Sequence, residues 1–145
     1  MSRSIDDLAP EVRAKAQALV WETKAELGRD LVIVSTLRTF EEQAALYAKG
    51  RTRPGPKVTN ARPGYSWHNP LSAEGLARAF DAAFRAPRGG VTWRGPWAKV
   101  GTLGEAMGLE WGGRWPRFPD RPHFQCTGGM TLAEARAKYL PAGWA

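Results

Sequence analysis

The sequence predicts an α+β fold: a single domain with a small antiparallel β-sheet flanked by helices. Three observations lead there. The chain has 145 residues, enough for one full-sized domain but not two. Segments with helical spacing of apolar residues open and close it, while short apolar runs between Gly/Pro-rich stretches read as strands. No internal repeat or linker interrupts the sequence, so 1–145 reads as one unit.

The first element is a helix in "DDLAPEVRAKAQALVWETKAELG", with Asp6 or Asp7 as its cap, Pro10 in its first turn and Gly28 at its end. Leu19, Val20 and Leu27 belong to its apolar stripe. "LVIVS" (31–35) is a short buried strand. "TFEEQAALYAKG" is a second helix, because Thr39 and Glu42 have capping-box spacing and Gly50 stops it. The run 51–70, with four prolines and several cations, is a loop, and a loop this long inside a compact domain is usually functional. "GLARAFDAAF" (75–84) fits strand or helix. "PWAKVGTLGEAMG" (96–108) is helical despite two internal glycines. "LEW" and "HFQC" are short strands separated by "GGRWPRFPDRP". "TLAEARAKYL" closes the chain as a helix with a second capping box, Thr131 and Glu134.

Composition narrows the function classes. A net charge of +7 calls for an anionic partner: nucleic acid, an acidic membrane surface or an acidic polymer. An Arg-, Ala-, Gly- and Pro-rich coding bias would give the same charge. Cys126 is the only cysteine, so an intramolecular disulfide is excluded and synthesis in a reducing compartment fits. No apolar run approaches the ~20 residues that span a bilayer. The N-terminus lacks the apolar core of a signal peptide, so the expectation is synthesis in the cytoplasm, with any action outside requiring release by other means.

Both histidines, His68 in "SWHNP" and His123 in "DRPHFQ", lie in aromatic, proline-rich stretches with acids nearby. A catalytic zinc site needs three protein ligands and one open position, and a separate carboxylate to move the proton of the attacking water. His68, His123, an acid between them and Asp120 could supply such a set. There is no HExxH, and a histidine beside a tryptophan is more often a packed side chain, so spacing alone leaves the metal site open.

The order of the motifs adds to this. "STLRTFEEQAALYAKGRT", "SWHNP…GLARAFD" and "GLEWGGRW…DRPHFQ" together resemble the zinc D-alanyl-D-alanine carboxypeptidases and L-alanyl-D-glutamate endopeptidases, a family that includes many phage endolysins. The resemblance runs over roughly residues 30 to 126. It implies a Zn2+ held by His68, Asp81 and His123, with Asp120 as the catalytic acid/base and Arg38 as the cation that stabilises the substrate oxygen. By the same resemblance Ser66 and Gln43 are supporting polar residues of the substrate site. Trp67, Trp111 and Trp115 are of a type more often core than cleft wall, but Trp67, beside His68, is read as shielding the site. Asp81 lies thirteen positions after His68, more than the family's usual interval, which makes Glu74 a rival second ligand. Asp81 is preferred: in a strand, Ala77, Ala79 and Asp81 share one face while Phe80 points to the core.

The plain structural readings remain beside these. Asp120 could pair with Arg117 or Arg121, Arg38 could be a solvated residue at a helix entry, and Trp111 and Cys126 read as core. The basic run "RTRPGPK" is usually solvated, but here it lies where it could receive a substrate carboxylate. The resemblance implies a monomeric endolysin-like hydrolase with no separate cell-wall-binding domain, which meets peptidoglycan and anionic envelope surfaces after release. L-alanyl-D-glutamate cleavage is the first expectation, and D-Ala-D-Ala carboxypeptidase or cross-link endopeptidase activity the second. Two other classes compete: a basic nucleic-acid-binding domain, which would explain charge and aromatics but not the two histidine motifs, and a non-catalytic metal-binding relative, which would not need Asp120.

Overall fold

The computed structural model describes residues 1–145 as four helices and five short strands. Helix α1 (Pro10–Leu27) begins with Pro10 at N1 and ends at Gly28, whose φ of 67° is the left-handed conformation that closes a helix. The cap expected of Asp6 or Asp7 is not there. Ala9 stands at the N-cap, and both aspartates lie in a preceding 3-10 turn (Ile5–Asp7) that is capped by Ser4. The chain thus enters α1 through a separate turn, and Asp7 accepts a hydrogen bond from the Ser2 hydroxyl. Strand β1 (Leu31–Ser35) forms where expected but is buried only at its ends, Leu31 and Ser35, and helix α2 (Phe40–Ala48) follows with the Thr39–Glu42 capping box formed.

The ambiguous segment is strand β2 (Ala79–Arg85), followed by a two-residue strand β3 (Val91–Thr92) that periodicity does not reveal. Helix α3 (Trp97–Ala106), strand β4 (Glu110–Trp111), strand β5 (His123–Gln125) and helix α4 (Leu132–Tyr139, with the Thr131–Glu134 capping box) complete the fold. The sheet is antiparallel in the order β1-β2-β5-β4, with β3 on the far end of β2. Its register sets Asp81 opposite Ser35 on one side and His123 on the other.

Alternation along β2 divides the molecule. Phe80, Ala82 and Phe84 enter the main core with Val12, Ala16 and Leu19 of α1, and with Trp97, Val100, Trp111 and Phe124. Phe80 stacks on Phe124 at 5.5 Å, and Phe84 meets Trp97 at 4.6 Å. Ala79, on the other face, joins a smaller cluster with Phe40, Trp67, Leu71 and Ala135. That cluster covers only part of the second face, and Asp81 and His123 lie on the remainder.

The two glycines of α3 are explained by close approach. A Cβ at Gly101 would fall 2.3 Å from the Trp111 ring, and one at Gly104 would fall 2.8 Å from Phe124. Gly101→Ala should therefore cost about 1–3 kcal/mol through overpacking. Urea unfolding measures it, and a variant as stable as the parent would contradict this packing account.

Candidate active site

His68 sits in the long loop, which is fastened to the β1–α2 connection. Arg38 N donates to His68 O (2.9 Å), and Asn69 Nδ2 donates to Arg38 O (3.0 Å). Ser66 Oγ accepts from the His68 amide at 3.2 Å. His123 and Asp81 come from paired positions on β5 and β2. The ligand-capable atoms of His68, Asp81 and His123 lie within 4.8 Å of one another, with His68 Nε2 3.3 Å and His123 Nδ1 3.4 Å from the two Asp81 oxygens.

The outer nitrogens fix how the rings face inward. His68 Nδ1 lies 2.8 Å from the Thr36 carbonyl, which can only accept, so Nδ1 carries the proton and Nε2 presents a lone pair. Gln125 Nε2 donates to Glu110 Oε2 (2.8 Å), which turns Gln125 Oε1 towards His123 Nε2, also at 2.8 Å. His123 Nδ1 is then the inward lone pair. Two nitrogen lone pairs, each held from behind, and a carboxylate on the sheet form a donor set that fits a zinc ion. When the inward nitrogens carry protons instead, the rings pair with Asp81: burial raises its pKa, but the close imidazolium groups of His123 and His68 outweigh it and hold the carboxyl well below its usual range. Burial lowers that of His123, and Asp81 more than offsets this to raise it.

Arg38 and Asp120 line the same cleft, a depression of about 530 Å³ that also includes Ser66, Trp67 and the three clustered residues. Asp120 is brought in by a tight loop: its amide donates to Gly112 O (2.8 Å), and Trp111 Nε1 donates to Arg121 O (2.8 Å). Gly112 has to be glycine here, since a Cβ would meet Asp120 O at 2.4 Å. Asp120 makes no ion pair with Arg117 or Arg121. Its carboxylate is reached by solvent on one side and walled by the cleft on the other. That partial desolvation raises its pKa, against the pull of His123, and the negative charge of Asp81 adds to the rise.

Several expectations need correction. Gln43 is fully buried and cannot meet substrate; it accepts from Arg38 Nη1 at 3.0 Å and donates to Ala61 O at 2.8 Å, so it orients the guanidinium. Glu74 is exposed in a turn and is not part of the cluster. Within the basic run, Arg51 lies over the Tyr47 ring and donates to Tyr47 O and Thr59 O, which fastens the loop, while Arg53 and Lys57 stay exposed. Trp111 and Cys126 are buried, as read from the sequence. The supports that sequence reasoning missed are Thr36, Asn69, Glu110 and Gln125. Only Gln125 had a signal, since it follows His123 by two positions in a strand and shares its face.

A buried two-histidine, one-carboxylate cluster in a cleft, with a further carboxylate and a guanidinium at its edge, is the arrangement of a metallopeptidase. Comparison with known proteins gives the same class. Residues 59–126 match the sequence model of the D-alanyl-D-alanine carboxypeptidase family. Over 129 residues the chain is 39% identical to the peptidoglycan L-alanyl-D-glutamate endopeptidase CwlK of Bacillus subtilis (strain 168), covering 82% of this chain and 73% of that one. The fold is similar to that of the Serratia marcescens L-Ala D-Glu endopeptidase ChiX, with a TM-score of 0.56 and 21% identity over 87% of each chain. The chain belongs to this D-alanyl-D-alanine carboxypeptidase family of peptidases.

Gln125→Leu removes the group behind His123 and keeps its bulk. Metal affinity, read by competition with a chelator, should fall about 10- to 100-fold with the fold retained. Unchanged affinity would remove Gln125 from the support of the site.

Proposed function

We propose that this peptidase is a zinc-dependent peptidoglycan endopeptidase that hydrolyses the L-alanyl-D-glutamate bond of the stem peptide. The observation that carries the reading is the convergence of His68, Asp81, His123, Asp120 and Arg38 on one cleft. His68, Asp81 and His123 would hold the zinc, which when bound supplies Lewis acidity to polarise a carbonyl and acidify water. Asp120 accepts a proton from the attacking water and delivers it to the leaving amine. Arg38, held by Gln43, donates to the carbonyl oxygen as negative charge develops there.

Endopeptidase action is favoured over carboxypeptidase action by the shape of the cleft. A second depression, also of about 530 Å³, shares Arg38, Asp81 and Asp120 with the first, so chain can extend on both sides of the reacting bond. The names of CwlK and ChiX support the choice of bond. No helix is long and apolar enough to cross a membrane. The proposed setting is that of a phage-type lysin: a monomer that reaches the wall after release and meets its anionic polymers with a net charge of +7.

Mass spectrometry of fragments released from purified peptidoglycan, with and without a chelator, tests the reading. New L-Ala carboxyl and D-Glu amino ends should appear only without chelator; cleavage elsewhere, or cleavage that survives metal removal, would contradict it. Asp120→Ala should lower turnover about 10²- to 10⁴-fold while metal content stays. Because Asp120 must be ionised to accept a proton and its pKa is raised, turnover should fall with decreasing pH from above the ordinary carboxylate range. A rate insensitive to Asp120→Ala would leave the base unassigned.

A further inference from the structure

The second depression has a character of its own. Val32 and Val34 of β1, Val91, Trp93 and Pro122 form an apolar shelf that runs up to Arg38, Asp81 and Asp120. Trp93 is 55% exposed and Val91 43%, so the shelf is an exposed apolar patch joined to a catalytic cleft. The indole is displayed from a rigid base: Val91 pairs with Arg85 in the sheet, and buried Trp97 donates its Nε1 hydrogen to Trp93 O at 2.7 Å. A neighbouring depression, lined by Trp93 and Asp120, places the ring between two hollows that both end at the reacting carboxylate.

The two sides of the cleft differ in their aromatic groups. On the first side, Tyr65 carries two guanidinium groups, Arg62 at 4.9 Å and Arg136 at 3.8 Å from its ring centre. On the shelf side Arg3 joins the shared Arg38, and Arg121 lines the neighbouring hollow. The two ends of the substrate differ as well. D-Glu, on one side of the bond, bears a free α-carboxylate when linked through its side chain. L-Ala, on the other, is joined through a lactyl amide to a neutral sugar with an N-acetyl group and an apolar ring face.

We infer that the Trp93 shelf is a glycan subsite, which takes the muramyl sugar attached to L-Ala while the Tyr65 side takes the acidic peptide. This rests on the bond assignment above, and the shelf's continuity with the cleft selects substrate over an unrelated partner as its occupant. An aromatic face against a sugar ring also explains why a tryptophan is held out in solvent.

The test compares two soluble substrates with the same stem peptide, one capped by N-acetylmuramic acid and the other by acetyl. Wild type should favour the muramyl substrate in kcat/KM by about tenfold, Trp93→Ala should bring the two values together, and Trp93→Phe should keep most of the difference. A ratio unchanged in Trp93→Ala overturns the proposal. Binding gives a readout without turnover: the methyl amide of N-acetylmuramic acid should shift the Trp93 indole NMR signal of the protein as purified, and an unmoved signal overturns the shelf. If wild type cuts both substrates at a different bond, the bond assignment fails, and the indole signal still decides whether the shelf takes the sugar.

Discussion

Asp81 is a carboxylate on the central strand of the sheet, and a largely buried charge must be compensated by its surroundings. Two imidazoles close on it, one from a neighbouring strand and one from a loop: protonated, they pair with it, and with their lone pairs inward the three groups are a donor set for a cation. The rest of the architecture follows from bringing them there. Register places His123 beside Asp81, while Arg38 and Asn69 tie the His68 loop to the end of β1. The apolar side of β2, through Phe80 and Phe84, anchors the strand in the main core, so the carboxylate is presented by a rigid element.

Arg38 and the two histidines are each held by a group behind them. Gln43 holds Arg38, Thr36 orients His68, and the Glu110–Gln125 pair orients His123. Gly112 lets the loop close tightly enough to set Asp120 beside them. Several arginines are likewise engaged within the fold, Arg51 with loop carbonyls and Arg78 with Glu11 and Cys126 O, so the formal charge overstates the cations free for an anionic partner.

Much of this is legible in the sequence because metal and proton-transfer chemistry restrict residue types. Only two histidines are available, and the strand pattern around Asp81 sets it on the face opposite Phe80. Capping boxes mark the starts of α2 and α4 because the motif is local. The role of Gln43 is not legible in the same way, because its burial depends on tertiary packing. Thr36 acts through its backbone carbonyl, which any residue could offer. The Trp93 shelf depends on a two-residue strand too short to show periodicity, and Asp6 and Asp7 are spaced as caps while the chain uses them in a separate turn.

In the proposed zinc site Asp81 is the third ligand beside the two histidines. Elemental analysis of the purified protein beside Asp81→Ala and Glu74→Ala tests it most directly. About one zinc per chain is expected in the parent and in Glu74→Ala, and little in Asp81→Ala, with all three remaining folded. Zinc retained in Asp81→Ala and lost in Glu74→Ala would contradict it.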